Sequence, residues 1–140
     1  MKSKSLAVFF TVLLFLIIPL SLFAQQQRDF YGTWVASYAE EDVSMIVKIT
    51  FAASSYTMSM EMAIEGETFG VESFDGTITK WTAVTNSDDG TKSTYPNGFK
   101  IVANYEGETE ELTMLMSRDR RQIILPELNV YDIEFIFRKQ

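Results

Sequence analysis

The chain contains no cysteine and no histidine. Without cysteine there is no disulfide, no thiol nucleophile, no thiolate zinc site and no lipid-anchoring cysteine behind a signal segment. Without histidine, Ser-His-Asp catalysis, imidazole proton transfer and His-based metal sites are excluded. An enzyme would have only carboxylate, tyrosine or lysine chemistry to use. Nothing selects a carboxylate pair of the glycosidase kind, and Asn86 to Gly90 lacks the ordered oxygen ligands and distal Glu of a calcium loop. The chain therefore reads as non-enzymatic, with no cofactor and no metal expected. Basic residues are also in the minority, 12 Lys and Arg against 19 Asp and Glu. That acidity argues against nucleic acid and against anionic membrane surfaces as partners.

Long apolar runs are missing too, with one exception near the start. Leu6 to Ile18, broken only by Thr11, falls short of the roughly 20 residues a membrane span needs. Lys2 and Lys4 precede it, Pro19 ends it, and Ser21-Leu22-Phe23-Ala24 offers a small residue before Gln25. These features predict a cleaved secretory signal over residues 1–24, an uncleaved anchor being the competing reading. Residues 25–140 then form one domain. Losing two lysines with the signal takes the net charge from −7 to −9. An exported domain without disulfides must stand on its core alone, which fits a bacterial periplasmic or secreted protein.

What the chain does have is alternation. Val43, Met45, Val47, Ile49 and Phe51 alternate with mostly polar residues, as do Tyr56, Met58, Met60, Met62 and Ile64. Period two puts one face of a strand on a core and the other in water. Trp34, Ala36 and Tyr38 share a parity in a first run. Phe69 and Val71 mark a fourth strand, Asp75-Gly76 reads as a tight turn, and Ile78 to Val84 is a fifth. After a polar loop from Asn86 to Gly98 come Phe99 to Tyr105, then Leu112 to Met116, then Val130 to Phe137. Gln122 to Leu125 is an additional candidate. The expectation is all-β: eight strands, or nine with that segment, in an antiparallel up-and-down β-barrel. Closure is preferred over a sandwich because short connections make sequential strands neighbours, and closing the sheet removes its exposed edges.

The run Asp29-Phe30-Tyr31-Gly32-Thr33-Trp34 resembles the Gly-x-Trp signature of the lipocalin superfamily, and the chain looks most like its compact bacterial members. The resemblance rests on the two ends of the domain and the strand count between them. It implies a short helical turn leading into the first strand and a tryptophan, Trp34, closing one end of the barrel behind Gly32. It also implies a basic residue of the last strand across the indole, for which Arg138 is the matching candidate; guanidinium over indole is a favoured cation–π pair. The family's Asp-centred turn between late strands and its helix after the barrel have no clear counterpart here.

Methionine is the unusual component. Met45, Met58, Met60, Met62, Met114 and Met116 lie in strand-like runs on the inward parity. Methionine is flexible and polarisable and lines sites that adapt to varied apolar shapes. An eight-stranded barrel either packs its interior with side chains or holds one small ligand, so a cavity and a methionine-filled core are the two competing readings. The candidate cavity lining is Tyr38, Met45, Met58, Met60, Trp81, Met114, Tyr131 and Phe135, with Tyr56 and Tyr105 as further polar tips. Acids at Glu65/Glu67, Asp88/Asp89 and Glu106 to Glu111 read as solvated turns. Arg118, Arg120 and Arg121 form the only basic cluster, available to an anionic headgroup but more simply a loop balancing nearby acids. The leading expectation is a monomeric barrel holding a small hydrophobic, lipid-like ligand. The alternative is a protein-interaction module, such as a periplasmic protease inhibitor, acting through Gln25 to Phe30 and the 85–98 loop. A filled interior with Met58 and Met60 packed would favour that alternative.

Overall fold

The computed structural model describes residues 26–128 and 133–140; the expected signal segment and Tyr131 lie outside them. A single 3-10 turn, Gln27–Phe30, leads into eight strands. These are β1 (Gly32–Glu40), β2 (Val43–Phe51), β3 (Ser55–Ile64), β4 (Glu67–Thr85), β5 (Asn97–Tyr105), β6 (Glu108–Met116), β7 (Gln122–Ile124) and β8 (Ile136–Lys139). They close in sequence order into one barrel, and β8 returns to pair antiparallel with β1. The all-β, eight-stranded antiparallel up-and-down barrel is thus the architecture.

Two boundaries differ from the sequence reading. Asp75-Gly76 is not a turn. It lies inside β4, a continuous strand of 19 residues. Gly76 is opposite Tyr56 in the ladder, and a Cβ there would overlap the Tyr56 ring. The glycine marks a close approach of ring to backbone, which glycine also serves. The supposed fourth and fifth strands therefore merge, and Gln122–Ile124 becomes β7, which restores the count to eight. The last strand begins at Ile136 rather than Val130, and residues 130–132 fall outside the described residues.

Burial follows the alternation. On β2, Met45, Val47, Ile49 and Phe51 are buried while Ile46, Lys48 and Thr50 are exposed. Apolar side chains thus face inward and mostly polar ones outward, the reverse of a membrane-spanning barrel with its outward apolar band. Registers stagger strongly around the barrel, as closure demands. The first half of β4, from Glu67 to Thr77, pairs with β3. From Thr77 onward β4 pairs with β5. The β2–β3–β4 wall therefore projects beyond the β5–β6 hairpin at the end where β1–β2, β3–β4 and β5–β6 turn. We call this the open end.

The opposite end is plugged. Phe30 and Trp34 are fully buried, and the Trp34 indole Nε1 donates to the Phe30 carbonyl at 2.9 Å. Phe30 meets Phe99 edge-on at 5.6 Å. Gly32 takes φ +109, a left-handed value open to glycine at little cost, and so turns the chain from the 3-10 turn into β1. The cation over Trp34 is Lys139, whose Nζ stands 5.4 Å from the ring centroid, and not Arg138. Register explains the correction: Trp34 pairs with Lys139 and Val35 with Arg138, so Arg138 projects from the outer face. The basic cluster also serves this end. Arg120 pairs with Asp29 at 3.6 Å, and Arg118 Nε donates to the Ser93 carbonyl at 2.9 Å.

Candidate binding site at the open end

Packing is uneven along the barrel axis. Met114 and Met116 are fully buried among Phe30, Trp34, Ile101, Ile123 and Phe137. Met58, Met60 and Met62, on the same inward parity, are only half-buried against that core. The methionines therefore divide into a packed set and an open set.

The open set lines two adjacent concavities. A cavity of about 260 Å³ is bounded by Tyr56, Met58, Phe74, Ile101, Ala103, Tyr105, Glu110, Glu111, Leu112 and Leu128. Phe74 and Tyr105 meet edge-on in its wall at 5.5 Å. Beside it, a recess of about 210 Å³ is bounded by Met45, Met60, Glu61, Met62, Phe69, Gly70 and Glu72. Met58 and Met60 are successive inward residues of β3, so the two spaces adjoin along one strand. The ladder irregularity between Glu61 and Ala63 and Gly70 at φ +78 mark where β4 bends over the recess. Phe69 remains 57% exposed and Val71 63% exposed, so the projecting wall ends in an uncovered apolar lip.

The rim is acidic. The β1–β2 hairpin carries Glu40, Glu41 and Asp42, the β3–β4 hairpin Glu61, Glu65, Glu67 and Glu72, and the β5–β6 hairpin Glu106, Glu108, Glu110 and Glu111. Between residues 38–45, 60–74 and 103–112 there is no lysine or arginine. Among the described residues one ion pair reaches this end, Lys100 with Glu111 at 2.9 Å, and that carboxylate stabilises the Lys100 ammonium, raising its pKa. Tyr56 is pushed above the ordinary phenol range, first by burial and then by the charge of Glu110. Tyr38 donates to Glu40 at the rim, which raises its pKa as well. Among the described residues, no group of three or more acids is placed to hold a metal ion.

The structure sorts the sequence candidates. Met58 lines the cavity, Met45 and Met60 line the recess, and Tyr38 stands half-buried at the rim. Met114 belongs to the packed end and does not line the site. Trp81 does not line it either. Its ring contacts Tyr31, Phe51 and Phe99 at 5.9, 6.5 and 5.9 Å, and its Nε1 donates to the Ala53 carbonyl at 2.8 Å. The β4 register shift between Ile78 and Lys80 returns Trp81 to the interior three residues after Ile78. Phe135 is buried 6.4 Å from Phe137 and lines neither space, and Tyr131 is outside the described residues. Sequence reasoning missed Phe74, Glu72 and Glu110. Phe74 shares parity with Gly76 and Ile78, a signal hidden by reading Asp75-Gly76 as a turn.

A larger groove of about 480 Å³ lies on the outer wall between the Val84–Asp88 loop and the 124–135 connection. It shares Leu128 with the cavity. In comparisons with known proteins, no family model, no curated protein and no solved structure matches this chain.

Proposed function

We propose that this chain is an exported, lipocalin-like barrel that works without catalysis, holding a small apolar molecule at its open end. The observation that carries the reading is the division of the methionines. Met114 and Met116 are packed solid, whereas Met58, Met60 and Met62 line space. The cavity and recess sit near the lower edge of ligand-pocket sizes, about 300 Å³, so the occupant is a single short tail or a small ring. Each methylene buried contributes about 0.8 kcal/mol. Five to eight of them supply roughly 4–6 kcal/mol, a Kd between about 1 mM and tens of micromolar.

The protein-partner alternative is less well supported. Its proposed surfaces are Gln25 to Phe30, of which Gln25 lies outside the described residues, and the 85–98 loop; both belong to the plugged end and are tied down there. Phe30 is fully buried, and Asn86 Nδ2 donates to the Tyr95 carbonyl at 2.9 Å. The packed Met58 and Met60 that would favour it are not what the barrel has.

Calorimetric titration with a neutral decyl glycoside, kept below its micelle concentration, tests the proposal. Saturable one-to-one binding is expected. Absence of binding across that range refutes an apolar site at the open end.

A further inference from the structure

We infer that the molecule held at the open end is a cationic amphiphile, one short apolar tail carrying an ammonium or guanidinium head. The inference rests on the binding reading above and adds the charge of the ligand. Its first support is the position of two carboxylates. Glu72 lies opposite Met60 in the β3–β4 ladder, and Glu110 precedes Leu112 and Met114 on the inward parity of β6. Both therefore continue apolar stripes that run into the barrel. Glu72 borders the recess and Glu110 the cavity. A tail seated on Met58 and Met60 leaves its head beside these acids.

Aromatic rings supply the second support. Tyr56, Phe74 and Tyr105 border the same cavity as Glu110. Ring faces combined with carboxylates are the chemistry that recognises ammonium groups, through cation–π attraction and Coulomb attraction together.

The third support is the segregation of charge. The three open-end hairpins hold no base, while Arg118, Arg120 and Lys139 are engaged at the plugged end with Ser93, Asp29 and Trp34. An anionic head, such as that of a fatty acid, meets mainly like charge at this mouth, where Lys100 is already paired with Glu111. A neutral head meets acids that it does not neutralise.

Three decyl probes test this: decyltrimethylammonium, decanoate and the neutral decyl glycoside, each titrated calorimetrically at low salt and again at high salt. The cation is expected to bind roughly tenfold or more tighter than decanoate, with the neutral probe between them. The preference should shrink at about 1 M salt, where the Debye length falls to roughly 3 Å. The double variant Glu72→Gln/Glu110→Gln should weaken the cation several-fold more than the neutral probe. An unchanged melting temperature for that variant excludes misfolding as the cause. Neutral probe bound, with decanoate as tight as the cation, overturns the charge inference and leaves the apolar site standing. No probe bound overturns both.

Discussion

Truncating the same residue type in the two halves of the barrel should have very different costs. Met114 is fully buried and borders neither concavity. Met114→Ala removes its side chain from a closed environment and leaves a void that Phe30, Ile101 and Phe137 fill only in part, at a cost of about 2–5 kcal/mol. Met60 is half-buried and borders the 210 Å³ recess, which already opens to solvent. Met60→Ala enlarges an existing opening, creates no closed void and forfeits only partial burial, so it should cost about 1 kcal/mol or less. For a domain of this size 1 kcal/mol moves Tm by about 4 °C, so Met114→Ala should lower Tm by about 8–20 °C and Met60→Ala by no more than about 4 °C. Thermal unfolding followed by far-UV circular dichroism, with urea titration for ΔG, measures both. Equal losses would mean that the two halves are packed alike, and the reasoning from uneven packing would fail.

Other perturbations have defined outcomes. Gly76→Ala drives a methyl into the Tyr56 ring and should cost about 1–3 kcal/mol by urea unfolding, whereas alanine at a true turn would be felt far less. Lys139→Ala should lower stability by about 0.5–1 kcal/mol through loss of the cation over Trp34, while Arg138→Ala should be nearly silent; the opposite order would restore Arg138 to the indole. Trp34→Phe deletes the donor to the buried Phe30 carbonyl and should cost about 1–3 kcal/mol for the orphaned acceptor, before any packing loss. Tyr56 and Tyr95 both have phenols raised by burial first. Their protonated forms are favoured in the folded state, so their contribution is complete below the ordinary value of 10.0 and is lost as pH rises through the higher folded values. With no histidine in the chain, urea midpoints should be flat from about pH 6 to 8 and fall above about pH 10.

Much of the barrel is legible in the residues, for local reasons. Val43 to Phe51 alternates with one exception, Ile46, and the whole run is one strand with the expected face inward. Gly32 and Trp34 are placed at a barrel end by the resemblance of their run to the lipocalin signature, not by local pattern. What was not legible depends on contacts distant in sequence. Gly76 looks like a turn residue until Tyr56 is laid across it. The register shift after Ile78 re-aims Trp81, and nothing in Thr79-Lys80 announces it. The Arg138 assignment was correctable from parity, since Phe135 and Phe137 face inward and make residue 139 the one that reaches the indole. The division into packed and open halves was beyond reach. Met58 and Met114 have the same local pattern, and only the stagger of β4 between β3 and β5 decides which of them meets a facing wall.

The central claim is that one half of this barrel is filled and the other receives a ligand, and methionine-methyl NMR tests it directly. In protein labelled at the methionine methyls, titrated with the neutral decyl glycoside, the resonances of Met58, Met60 and Met62 should shift progressively while those of Met114 and Met116 stay in place. Shifts concentrated at Met114 and Met116, or none at the three β3 methionines at saturating probe, would contradict the account.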